Sequence, residues 1–268
     1  METIKLKYKV LGVLWTKHKT VELPQNANEC SLEQLFRLAI YWAVDKPDYV
    51  IKIEVVAILL QVKKDFLRRF DREALWRLCE LSEWVFEFPS FNKKKLPAFK
   101  VNGKWFHGPD ECLFNCTFIE FVHADELASN YARTGVTAYL DQLIATLYRP
   151  TKSKKQLNAD DYNGDVRRSY NYYLTSVYAK QIENLEMPYK TIVLVFFAGC
   201  KKYIMEQFKD VFGKSGESSG SSDNAYAIAQ KVLAKEGTLG DLEKVQNENV
   251  YNALNMLQDI IRNSRKNV

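Results

Sequence analysis

The chain has 268 residues, 47% of them hydrophobic, and a formal charge of +5 from 38 Lys plus Arg against 33 Asp plus Glu. That is apolar enough for one large domain or two without disulfide staples, and too weakly basic for the cationic stripe of a dedicated nucleic-acid binder. The longest uncharged apolar runs, from Val55 and from Ile192, are too short to span a bilayer, and METIKLKYKV lacks the apolar core of a signal peptide, so no membrane is expected among the partners.

Ile4, Leu6, Tyr8 and Val10 alternate with Lys5, Lys7 and Lys9, the pattern of a half-buried strand, and a second strand over Thr20 to Leu23 would make a hairpin with it. Ser31 and Gln34 have capping-box spacing and open a helix whose apolar face runs to Trp42. Lys46-Pro47-Asp48 breaks it. Two further helices are expected, about Tyr49 to Val62 and about Arg72 to Val85, joined by the polar stretch Lys63 to Asp71. Asn102-Gly103 tolerates the positive φ angles of a type I′ turn and predicts a hairpin of Ala98–Val101 against Lys104–Phe106.

Thr117 and Glu120 repeat the capping-box spacing, in which the hydroxyl takes one orphan N–H and the carboxylate reaches back to another. A helical hairpin follows: Phe118, Phe121, Val122 and Leu127, a break at Gly135, then Leu140, Leu143, Ile144 and Leu147 at i, i+3, i+4, i+7. Arg149 supplies a cation to the last turn and Pro150 stops it. TKSKKQLNADDYNGD reads as an exposed polar loop. Helical signals resume over Val166 to Leu185, and Pro188 suits the first turn of a long helix through Phe208.

Gly213 to Asp223 is Gly/Ser-rich and reads as a linker or loop. Beyond it come a helix over Ala225 to Lys235 stopped by Gly237, a turn at Gly240 and Asp241, and a last helix capped by Asn247 and bearing Val250, Leu254, Leu257 and Ile261. Arg262, Arg265 and Lys266 fall near its end, where cations favour the helix dipole. The expected fold is α+β, predominantly α-helical. Its expected segments are 1–90 (hairpin and helical cluster), 91–212 (hairpin and central helical body), 213–223 (linker or loop) and 224–268 (small helical unit).

No residue pattern here carries chemistry. The five cysteines, Cys30, Cys79, Cys112, Cys116 and Cys200, are odd in number and set among apolar neighbours, as reduced buried thiols are. His107, Cys112, Cys116 and His123 lack the C-x2-C spacing of a zinc site. Asp160, Asp161 and Asp165 lie in the polar loop, where solvated turn carboxylates are expected. No catalytic residue, cofactor or metal is implied. The lysine clusters Lys93, Lys94, Lys95 and Lys152, Lys154, Lys155 allow an alternative reading as nucleic-acid contacts, with Trp105 and Phe106 as stacking rings, but the clusters are short and loop solubility explains them. Tyr170, Tyr172, Tyr173 and Tyr178 cover too much of one helix to form a single core stripe, so some are expected to face a protein partner.

The ordered series GPDECLFNCTFIEFVHADELASNY, LDQLIATLYRP, NGDVRRSYN, IVLVFFAGCKKYI and KEGTLGDLEKVQNENVYNALNML resembles a protein family from the tail-gene region of Bacteroidetes-type phages and prophages. The resemblance implies no enzymatic residues. It implies a tail assembly chaperone acting near the tape-measure protein, or a minor tail or connector component forming a homo-oligomer. The place of work would be the host cytoplasm during assembly, or the virion.

Overall fold

A computed structural model describes residues 1–9, 16–87, 89–160, 162–212, 233 and 241–266. The described residues form a mainly helical α+β fold with one two-stranded and one three-stranded antiparallel sheet. They divide into two compact units, Met1–Phe91 with Met187–Phe196, and Asn92–Glu186 with Phe197–Val268.

In the first unit, β1 (Glu2–Lys9) pairs with β2 (Thr16–Leu23) from Glu2↔Leu23 to Lys9↔Thr16. The second strand is longer than the sequence predicts. Its early residues Lys17, His18, Lys19 and Thr20 are all exposed, so no alternation marks them, and cross-strand pairing alone extends the ladder. Tyr8 seats the ribbon against Phe66, with ring centroids 5.2 Å apart.

Helix α1 (Leu32–Leu38) carries the full capping box: Gln34 N donates to Ser31 Oγ at 3.2 Å and Ser31 N to Gln34 Oε1 at 2.7 Å. It stops short of Trp42, because Tyr41 N turns back to Leu38 O at 2.8 Å in a tighter turn. Gln34 also donates to Leu59 O of α2 (Tyr49–Leu59), which Asp48 caps. The connection expected after α2 holds a one-turn helix, α3 (Lys64–Leu67). Helix α4 (Arg72–Glu80), capped by Asp71, ends earlier than expected, with Ser82 Oγ donating to Leu78 O at 2.7 Å and a 3-10 turn taking up Glu83–Phe86.

The end of α2 is chemically unusual. Val62 N bonds Ala57 O and Gln61 N bonds Ile58 O, the paired bonds of a Schellman motif, and Gln61 sits at the left-handed position with φ 53 where glycine is the common choice. Its side chain is exposed and has nothing to offset the strain of a Cβ in that conformation.

In the second unit the Asn102-Gly103 turn forms as expected, with φ 49 and 79, between β3 (Ala98–Val101) and β4 (Lys104–His107). The sheet has a third strand that the sequence does not announce. β5 (Arg149–Pro150) pairs with β4 through Phe106↔Pro150 and His107↔Arg149, so Pro150 joins a sheet edge as well as ending a helix. The helical hairpin is α5 (Phe118–Thr134), closed by Gly135 at φ 67, and α6 (Thr137–Leu147), whose Leu140, Leu143, Ile144 and Leu147 are all buried.

The polar loop contains a short capped helix, α7 (Lys154–Leu157), and α8 begins only at Tyr172 (Tyr172–Ile182). Val166 to Asn171 are not helical, because Arg167 is drawn into the core as described below. Helix α9 (Met187–Gln207) has Pro188 in its first turn as expected and contributes its first half to one unit and its second half to the other. Asp241 caps the helix Leu242–Asn247, which Asn247 ends, and Asn249 is the residue that caps Val250–Lys266, accepting from Tyr251 N at 2.9 Å. Arg262 pairs with Asp210 at 2.7 Å. The Gly213–Asp223 segment, all of Ala225 to Lys235 but Leu233, Gly237 and Gly240 lie outside the described residues, as does Asp161.

Replacing Gln61 by glycine is expected to raise stability by about 0.5–1 kcal/mol, less than the full left-handed penalty because glycine also frees the unfolded chain. Urea unfolding of Gln61→Gly against the parent reads this, and an unchanged or lower midpoint would show that the strain is relieved elsewhere.

Candidate functional site

Glu120 occupies the third position of α5, where the capping box would turn its carboxylate back on Thr117. Only half of that box forms: Thr117 Oγ1 accepts from Glu120 N at 3.4 Å. The carboxylate faces inward instead, with Oε1 2.8 Å from Arg149 Nη2 and Oε2 3.7 Å from Arg167 Nη2. Two guanidiniums removed from water need an anion more than one helix N–H needs a cap, and this decides the rotamer.

Arg149 leaves α6 at the start of β5 and spreads its donors over three segments. Nη1 donates to Thr146 O and Nε to Arg168 O, both at 2.6 Å, while Nη2 holds Glu120. Arg167 does the same from the loop: Nη1 to Leu147 O and Nη2 to Asn115 O, each at 3.0 Å, and a forked pair of bonds to Asp165 from Nε and Nη2. Side-chain exposure is 2% for Arg149, 0% for Arg167, 3% for Glu120 and 12% for Asp165. Two cations and two anions therefore neutralise one another inside the unit.

Asp165 departs from the solvated turn residue expected of it. Burial alone would raise its carboxyl, but the hydrogen bonds and charge of Arg167 outweigh burial and hold it below the usual carboxylate range. Cys116 lies against the same guanidinium, Sγ 3.8 Å from Nη1, yet burial dominates and pushes its thiol up to about 12. A thiol that far from ionisation is not a poised nucleophile at neutral pH.

The other residues weighed for metal binding are engaged separately. His107 Nε2 is 2.9 Å from Thr151 Oγ1, and His123 Nδ1 is 2.6 Å from the Tyr170 hydroxyl. Among the described residues no group of three His, Cys, Asp or Glu is arranged to hold a metal ion. Burial raises the Tyr170 hydroxyl and lowers the His123 imidazole, so the uncharged form of each is favoured in this hydrogen bond. The Arg149 guanidinium lies 6.0 Å from the Tyr170 centroid, which joins this pair to the ion cluster.

Helix α8 starts from that anchored loop. Thr175, Tyr178, Ala179 and Ile182 are buried on its inner face, with Tyr178 edge-on to Phe106 at 6.2 Å. Its outer face presents Tyr172, 63% exposed, Tyr173, 84% exposed, and the exposed Leu174 and Val177. Tyr172 packs tilted on the His123 ring at 5.0 Å, and Tyr173 meets Tyr172 edge-on at 5.8 Å. The four tyrosines thus separate. Tyr178 belongs to the core and Tyr170 to the anchor, while Tyr172 and Tyr173 face solvent. The sequence holds one faint sign of the cluster, a carboxylate inside the apolar run FIEFVHA, and the capping-box spacing supplies a sufficient reason for it.

No family model, curated protein or solved structure matches the chain.

Neutralising one member of the cluster leaves a buried charge without its partner, so Glu120→Gln is expected to lower stability by about 3–5 kcal/mol in urea unfolding. A loss below about 1 kcal/mol is the outcome expected only of an exposed ion pair. The pH dependence has a defined sign. His123 takes up its proton below the ordinary value of about 6.5, so the unfolded chain binds more protons, and its contribution to stability is lost as pH falls through 6.5 toward the folded value. An NMR titration should find the His123 ring still neutral at pH 6.5, and titration at or above that pH would contradict its burial.

Proposed function

We propose that this chain is a non-enzymatic phage tail assembly protein that works through protein contacts, as an assembly chaperone or a minor tail component, with the outer face of α8 as its docking face. The observation that carries this reading is the exposed strip Tyr172, Tyr173, Leu174 and Val177 on a helix whose other face is buried. Tyr173 and Val177 are one helical turn apart, the spacing that receives another helix in a groove or along a seam. Aromatic rings in such a position bury large area at low entropy cost, and their anchored backbone leaves little further ordering to do on binding.

The resemblance to the tail-gene family supports the setting, and long helical tail proteins such as the tape-measure protein are clients of the right shape. In a phage encoding this chain, Tyr173→Ser with Val177→Ser is expected to leave the protein folded and to lower the yield of tailed particles by at least about tenfold, the scale of losing one interface anchor. Quantitative mass spectrometry of particles and lysate distinguishes the two roles, since a chaperone is absent from particles and a tail component is present at fixed stoichiometry. Unchanged particle yield from the folded double variant would overturn the assignment of this face.

A further inference from the structure

The stretches 92–104 and 151–156 together hold eight lysines and no acidic residue, in a chain whose formal charge is +5, which leaves the remaining residues at a net −3. Forty-six residues separate them in sequence, and the sheet brings them together. β4 lies between β3 and β5, and His107 at the end of β4 bonds the Thr151 hydroxyl that follows β5.

Alternation divides the β3–β4 hairpin cleanly. Phe99 and Phe106 stack at 5.8 Å on the buried side, so Phe106 is not available to a ligand as the sequence had suggested. On the opposite side Lys100 pairs with Trp105, its Nζ 6.0 Å from the centroid of an indole that is 51% exposed. His107, two residues on, shares that side. Lys152, which follows the Thr151 that His107 bonds, lies over the Tyr162 ring at 5.2 Å, and Lys94 is close enough to His107 that its charge, after burial, lowers the imidazole. Lys94 is paired with Asp110 at 2.9 Å, whereas the side chains of Lys100 and Lys152 lie over aromatic rings.

We propose that this face, Trp105 with Lys100 and His107 and the neighbouring Lys152, binds single-stranded nucleic acid, with phosphates on the lysines and a base on the indole. Charge complementarity selects a polyanion, and an exposed indole backed by an ammonium group selects one with flat unpaired rings. Duplex DNA keeps its bases stacked inside and offers that ring nothing. This activity is independent of the α8 face.

The test is anisotropy of a fluorescein-labelled single-stranded oligonucleotide titrated with the full chain at several salt concentrations. Binding should weaken steeply with salt, and Lys100→Gln with Lys152→Gln should flatten that dependence by about 0.7 in log–log slope for each phosphate no longer neutralised. Trp105→Ala should weaken binding by about tenfold with the slope unchanged. Circular dichroism of each variant checks that the fold persists. No binding at low salt overturns the proposal. So does equal competition by duplex DNA or heparin together with indifference to Trp105→Ala, which would reduce the face to a general polyanion surface.

Discussion

Two arginines with no access to water set the terms for the second unit. Arg149 and Arg167 could not be buried alone, and each is matched by a carboxylate, Glu120 and Asp165, and by backbone carbonyls that take its remaining donors. Those carbonyls belong to Asn115, Thr146, Leu147 and Arg168, so the cluster joins the entry to α5, the end of α6 and the loop before α8. Arg167 thereby secures a strained turn. Cys112 and Leu113 are both left-handed, with φ 54 and 62, a conformation that non-glycine residues hold only when their surroundings enforce it. Tyr251 donating to Cys112 O at 2.7 Å and Cys112 N donating to Asn92 O at 2.8 Å complete that enforcement.

What a sequence displays is local. The Ser31–Gln34 box, the Asn102-Gly103 turn, the Gly135 stop and the i, i+3, i+4, i+7 face of α6 are each decided by a few neighbouring residues, and each forms where its pattern lies. The departures all come from distant partners. Arg149 and Pro150 join a sheet because β4 offers an edge, and Val166 to Asn171 fail to become helix because Arg167 has a better partner in the core. Asn249, not Asn247, caps the helix Val250–Lys266, where Val250 N donates to Cys116 O and fixes its start. Glu120 shows the principle most directly. A motif that satisfies one orphan N–H gives way to a long-range charge pair worth more.

The candidate site is legible only in part for the same reason. Tyrosines crowding one stretch signal that some must face outward, but which of them do so depends on where α8 begins, and the ion cluster fixes that. A helix held by such an anchor has lost conformational freedom before any partner arrives, so Tyr172 and Tyr173 would enter the proposed contact with little left to order. The lysine-bearing sheet face follows from pairing as well: two short clusters, each unremarkable as loop composition, become neighbours across β3, β4 and β5.

Amide hydrogen exchange of Arg167→Met against the parent chain tests most directly whether the ion cluster poses α8. Methionine fills the volume of the guanidinium stem and removes its charge and donors. Exchange should quicken across 147–151 and 166–182 while residues 16–87 keep their protection. Protection of α8 equal to that of the parent would contradict a role for the cluster in holding this helix.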